Sequence, residues 1–171
     1  MTGPPSALGF AVMTVSDTRD AASDKTGPWL RDRIAEAGHR VTDHAITPDD
    51  ITAIRARLEP WIADPQVHAI LTTGGTGLTG RDVTPEAVRP LLDKEIDGFA
   101  AVFHQISFAS VGVSTLQSRA LAGIAGGTYI FCLPGSSGAV RDAWEGILRH
   151  EFDPAHRPCN LVELVPRLTE R

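Results

Sequence analysis

Cysteine is scarce in this chain: there are two, Cys132 and Cys159, far apart and in no CxxC pair. The six histidines form no HExxH, so a structural zinc site is not expected. Positive charge is also short. Sixteen Lys and Arg face 21 Asp and Glu, for a formal net charge of −5, which argues against a general nucleic-acid binder. No window of about 18 apolar residues stands out, so no membrane span is expected. The opening MTGPPSALGF lacks the basic region and apolar core of a secretory signal, and residues 1–7 read as a disordered lead-in. Together these point to a reduced, cytoplasmic protein, with Cys132 as a small core residue. Residues 8–171 form one domain, long enough for a real core.

What the chain does have is a concentration of glycine. In LTTGGTGLTGRDVTPE, Leu71 to Glu86, Gly74, Gly75 and Gly77 fall within four residues and Gly80 follows. An apolar run, Val67 to Thr73, leads in. Thr84-Pro85 leads out, as a helix opening with Thr as N-cap and Pro at the first helical position. The order is strand, glycine loop, helix. Such a loop lets an anion approach bare N–H groups; a tight turn without a ligand is the plainer alternative.

Elsewhere, strands alternate with helices. Leu8 to Val15 is a short apolar run ending in Ser16-Asp17, and reads as a buried strand. Asp24 to Ala37 carries Leu30, Ile34 and Ala37 at helical spacing, stopped by Gly38. Arg40 to Ile46 is a second strand. Thr47-Pro48-Asp49-Asp50 repeats the Thr cap and Pro start before a helix bearing Ile51, Ile54, Leu58, Trp61 and Ile62. After the glycine loop, helices are predicted over Pro85 to Leu92 and Asp97 to Ser107, then a turn and short helix near Thr115. Arg119 to Ala125 and Thr128 to Leu133 form a hairpin around Gly126-Gly127. Pro134-Gly135-Ser136-Ser137 precedes an amphipathic helix, and Leu161, Leu164, Val165 and Leu168 make a short final one. The fold class is therefore α/β: three α/β/α layers, a mostly parallel sheet and an antiparallel edge hairpin. Ligands of such folds sit beyond the carboxyl ends of the strands.

Two phosphate motifs nearly fit the glycine loop. Gly75 to Gly80 matches G-x-G-x-x-G, yet its helix starts several residues too late for a dinucleotide site, which leaves a nicotinamide or flavin oxidoreductase as a remote alternative. It also has the outer glycines of a P-loop, but Arg81-Asp82 stands where Lys and Ser/Thr belong. Asp82 is the informative departure. A carboxylate beside bound phosphate is repulsive unless a cation intervenes, and Mg²⁺ is commonly held by one or two carboxylates plus substrate phosphates. Asp49 is the candidate second carboxylate. Each has a plainer role open to it: Asp49 as a helix-dipole partner, Asp82 as an ion-pair partner of Arg81 or Arg19. Ser136 is equally an anion contact or a plain N-cap, and Lys25 a phosphate contact or a solvated side chain.

Thr72 to Gly77, Arg81-Asp82-Val83-Thr84-Pro85-Glu86-Ala87 and Leu133-Pro134-Gly135-Ser136 together resemble the molybdopterin-binding domain family, which includes the bacterial molybdenum cofactor biosynthesis proteins B and Mog and a domain of gephyrin. The resemblance runs from Phe10 to about Leu161. Ser114 to Arg119 and Arg157 to Asn160 look like its B branch. It implies binding of molybdopterin, a pterin dithiolene with a terminal phosphate, and transfer of AMP from Mg-ATP onto that phosphate. A non-catalytic molybdopterin carrier or scaffold is the alternative. Carried over residue by residue, it implies Asp49 and Asp82 as catalytic, magnesium-linked residues. The implied substrate contacts are Ser16, Asp17, Thr73, Gly74, Gly75, Thr76, Gly77, Pro134, Gly135 and Ser136. It also implies trimers or hexamers and partners in the same pathway, with no nucleic acid or membrane involved.

Overall fold

The computed structural model describes residues 3 and 5–170. Met1, Thr2 and Pro4 of the expected lead-in lie outside the described residues. Six strands form one sheet in the order β2-β1-β3-β6-β5-β4. They are β1 (Gly9–Val15), β2 (Arg40–Thr47), β3 (Ala69–Thr73), β4 (Lys94–Glu95), β5 (Leu121–Ala125) and β6 (Thr128–Leu133). β1 pairs in parallel with both β2 and β3, and β3 with β6. β5 runs antiparallel to β6 and to β4.

The central strands are apolar on both sides because both faces of the sheet are covered. Along β1, Phe10 and Val12 join one core with Leu30, Phe103, Phe131 and Trp144. Ala11, Met13 and Val15 join the other with Ile54, Leu58, Ile70 and Val88. The first core lies under α1 (Thr26–Glu36), α4 (Asp97–Val111) and α5 (Ser137–Ala143), the second under α2 (Ile51–Ala63) and α3 (Thr84–Val88). That is the expected three-layer arrangement. Cys132 is fully buried, as a small core residue should be.

The hairpin forms as read. Gly126 and Gly127 both have positive φ, 57° and 90°, as a two-residue turn that matches strand twist requires. Beyond it lies β4, two residues long and charged, which the sequence did not suggest; its Lys94 and Glu95 blunt the sheet edge.

Several helix boundaries differ from expectation. The N-cap of α2 is Asp50, whose carboxylate accepts from Ala53 N–H at 2.8 Å. Thr47 remains in β2 and Pro48 in the loop. Val83, not Thr84, precedes the first turn of α3, and the Thr84 hydroxyl instead donates to the Gly74 carbonyl. α4 runs four residues past Ser107, then tightens into a 3-10 stretch over Gly112–Gln117. The expected final helix is only a 3-10 turn, Val165–Arg167; Pro166 supplies no N–H to extend it. By length and composition alone, Asp97–Gln117 is long and apolar enough to cross a membrane. Phe99, Phe103 and Ser107 pack its inner side against the sheet, while Val102, Phe108, Val111, Val113 and Leu116 are exposed.

Candidate functional site

The chain leaves β1 toward β2 on one side and returns to β3 on the other. The loops after β1 and β3 therefore diverge, and a crevice opens at their carboxyl ends. A cleft of about 640 Å³ lies there. Ser16 and Arg19 line it from the loop after β1, Asp49 from the loop after β2, and Pro134, Gly135 and Ser136 from the loop after β6. Gly74, Gly75, Thr76, Gly77 and Asp82 line it from the glycine loop. The far wall is Phe103, Ser107 and Val111 of α4 with the 3-10 stretch behind it.

The glycine loop turns on two left-handed residues, Gly74 (φ 105°) and Gly75 (φ 69°). A Cβ on Gly74 would run into the Val15 carbonyl, and one on Gly75 into the Thr84 hydroxyl. The loop is closed by Thr84, which donates its N–H to Gly75 O (3.0 Å) and its hydroxyl to Gly74 O (2.9 Å). Arg119 holds the outer half. Its N–H bonds Thr76 O, its Nε bonds Gly77 O and one Nη bonds Asp82 O, each at 2.8 Å, while the guanidinium pairs with Glu86. Among the described residues, the N–H groups of Gly75 and Thr76 have no protein acceptor. Free N–H groups in a positive-φ loop are an anion cradle.

Asp82 and Asp49 flank this loop, and their surroundings differ. A Cβ on Gly77 would touch the Asp82 carboxylate, and one on Gly75 would stand 3.1 Å from Asp49 Oδ1. Burial alone would push the Asp82 carboxyl up. That effect is outweighed by the hydroxyl and N–H of Thr79, the Gly77 N–H and the charge of Arg119, and the pKa is lowered. Asp49 moves the other way. Burial raises it first, the charges of Asp17 and Asp82 raise it further, and only the bond to Asp17 and the charge of Arg81 oppose them. A carboxylate pushed up by burial and by neighbouring carboxylates in a cleft is a candidate functional group. Among the described residues, no three His, Cys, Asp or Glu side chains form a metal cage. Two carboxylates beside free loop N–H groups instead fit a magnesium ion completed by substrate phosphates.

The remaining sequence candidates separate. Ser16 holds its own turn by accepting from Thr18 and Arg19 N–H. Asp17 is outside the cleft lining. Arg81 forks onto its two oxygens at 2.8 Å each, Asp49 N–H donates to it at 3.0 Å, and the pKa is lowered, first by Arg81 and then by Asp49 N–H. Arg81 thus pairs with Asp17 rather than Asp82. Thr73 is fully buried; its hydroxyl donates to Pro134 O at 2.9 Å and so joins the third strand to the Pro134 turn. Ser136 caps α5, accepting from Ala139 N–H at 3.3 Å. Lys25 sits at the start of α1, outside the cleft lining. Arg19 bonds Thr26 Oγ1 and Gly135 O. Arg19 and Arg119 were not singled out as site residues in the sequence. Their partners here are mostly backbone carbonyls and a hydroxyl, which leave no pattern in the residue order.

Known proteins resemble this chain in sequence and in fold. Residues 11–154 match the family described as "Probable molybdopterin binding domain". The chain is 51% identical over 151 residues to molybdenum cofactor biosynthesis protein B of Escherichia coli (strain K12), covering 88% of this chain and 89% of that one. The fold superposes on a crystal structure of molybdenum cofactor biosynthesis protein B with a TM-score of 0.86, at 38% identity, across 99% of this chain and 100% of the other. It matches the tungsten cofactor synthesizing protein MoaB of Pyrococcus furiosus with a TM-score of 0.76 at 36% identity, covering 84% and 91%. Matched by the family over residues 11–154 and by these relatives over most of its length, the chain belongs to the molybdopterin-binding domain family.

Proposed function

We propose that this protein acts in the cytoplasm in molybdenum cofactor biosynthesis, binding molybdopterin and transferring AMP from Mg-ATP onto its terminal phosphate. The observation that carries this is the pair Asp49 and Asp82 on either side of a loop whose Gly75 and Thr76 N–H groups are free.

The acceptor phosphate oxygen is already ionised at neutral pH, so no Ser, Cys or His nucleophile is needed. It attacks the α-phosphorus of ATP; a new P–O bond forms, the bond to the bridging oxygen breaks, and pyrophosphate leaves with the electron pair. The protein must align the two phosphates and balance their charge. The loop N–H groups hold phosphate oxygens. Asp49 and Asp82 hold the magnesium ion, which when bound neutralises phosphate charge and polarises the P–O bond. Thr73 and Arg19 act behind them, fixing the Pro134-Gly135 turn against the glycine loop.

The test is incubation with molybdopterin, ATP and Mg²⁺, wild type beside Asp82→Asn. Adenylylated pterin from wild type, and little from the variant, is expected. Tight pterin binding by folded wild-type protein with no adenylylated product would instead leave a carrier. Assembly as a trimer or hexamer is part of the same proposal. The exposed side of α4 and its extension, with Val102, Phe108, Val111, Val113 and Leu116, supplies the apolar surface. A monomer in sedimentation at micromolar concentration would contradict it.

A further inference from the structure

The cleft has a charge deficit that its own lining does not correct. Its ionisable lining residues are Asp49, Asp82, Asp142 and a single cation, Arg19. Arg19 is committed to Thr26 Oγ1 and the Gly135 carbonyl. A polyphosphate would add negative charge to a site that already holds three carboxylates. One divalent ion offsets only part of that.

A second source of positive charge is Arg81, beside Asp82 in the glycine loop and outside the cleft lining. Its side chain is 67% exposed and its guanidinium rests on a single partner, Asp17. Asp17 in turn accepts the N–H of Asp49. The ion pair therefore ties together the loops after β1, β2 and β3, all at the carboxyl ends where the cleft opens. Both partners of this ion pair are solvent-exposed, and a guanidinium fork that fits a carboxylate fits a phosphate as well. The exchange moves the guanidinium from a singly charged carboxylate to a partner of higher charge.

We propose that Arg81 is a polyphosphate-binding residue held in reserve by Asp17. On nucleotide entry its guanidinium leaves the Asp17 carboxylate for phosphate oxygens, while Asp17 keeps the Asp49 N–H and so stays a positioning residue for that loop. The inference rests on the adenylyl-transfer reading above and names the group that receives the nucleotide's charge.

Calorimetric titration of the full chain with a non-hydrolysable ATP analogue and Mg²⁺ tests it. Arg81→Gln is expected to weaken binding on the order of tenfold to a hundredfold, the range for a hydrogen bond to a charged group. Arg81→Lys should recover part of the loss. Asp17→Asn, which removes the competing charge yet keeps an acceptor for Asp49 N–H, should tighten binding; a merely structural ion pair would not behave so. Circular dichroism confirms that each variant is folded. Wild type that binds the analogue with Arg81→Gln equally tight would overturn this proposal alone. Wild type that binds no analogue would overturn the adenylyl-transfer reading, and this one with it.

Discussion

The hydroxyl of Thr84 donates to the carbonyl oxygen of Gly74 at 2.9 Å, joining the first turn of α3 to the first residue of the glycine loop. Thr84 is fully buried, so water cannot replace the bond. Thr84→Val keeps the shape and removes the donor. It should lower stability by about 1–3 kcal/mol, the cost of a buried acceptor left unsatisfied, and Thr84→Ser should restore most of it. Urea denaturation of the three proteins measures this; equal midpoints for Val and Thr would contradict it.

Asp49 is expected to oppose stability in the ligand-free protein. Its pKa is raised by burial and by the charges of Asp17 and Asp82, so the folded state holds its proton more tightly than the unfolded chain. The stabilisation is full below the unfolded value and is lost as pH rises through the folded one. At neutral pH the ionised carboxylate is therefore a net liability. Asp49→Asn should melt higher than wild type in metal-free buffer near neutral pH, and the gap should close in acid. Scanning calorimetry across pH reads both effects.

Two histidines make stability fall on the acid side of neutrality. His39 Nδ1 accepts the Leu8 N–H and His68 Nδ1 accepts the Gly9 N–H, at 3.2 and 2.9 Å, so consecutive amides at the start of the first strand depend on neutral imidazoles. Because Nδ1 of His39 accepts, its Nε2 carries the proton and donates to Phe152 O. Burial lowers both pKa values below 6.5, with Arg40 adding to the effect at His68. The unfolded chain then takes up protons near 6.5 while the folded one does not. Stability is full above that value and falls as pH drops from it through the folded values. Urea midpoints should decline as pH falls below about 6.5. His39→Phe and His68→Phe should flatten the decline while lowering stability at neutral pH, where each orphans an amide.

Much of this architecture was legible in the residue order. The buried strands are continuous apolar runs, and Gly126-Gly127 specifies its turn because few other pairs accept positive φ twice. Thr47-Pro48 and Thr84-Pro85 look alike in sequence, yet neither threonine caps its helix. Asp50 lies closer to the free N–H groups of α2, and Thr84 is drawn to Gly74 by tertiary packing. β4 was invisible because two charged residues carry no period. Asp82 stood out because a carboxylate in a glycine loop is chemically unusual, and Asp49 followed as the candidate second carboxylate. Their different electrostatic settings depend on Asp17 and Arg119, which only the fold brings near, and on Thr79, three residues before Asp82.

Arg119 gives the last prediction. One guanidinium spans the carbonyls of Gly77 and Asp82 and pairs with Glu86, while its own N–H reaches Thr76 O. Lysine carries the same charge but is a single point without the fork. Arg119→Lys can keep Glu86 as a partner; it cannot hold both carbonyls. The backbone bond to Thr76 survives either way, so the fold should persist with an unchanged circular dichroism spectrum. The outer half of the loop should loosen. Hydrogen exchange at Leu78 to Asp82 should speed up, with little change in the central strands. Affinity for a magnesium–ATP analogue should fall on the order of tenfold, the loss expected when about one charge-assisted hydrogen bond is misplaced. Unchanged loop exchange in Arg119→Lys would mean that Thr84 and the Thr79–Asp82 bonds suffice to shape the loop, and that Arg119 serves only its ion pair with Glu86.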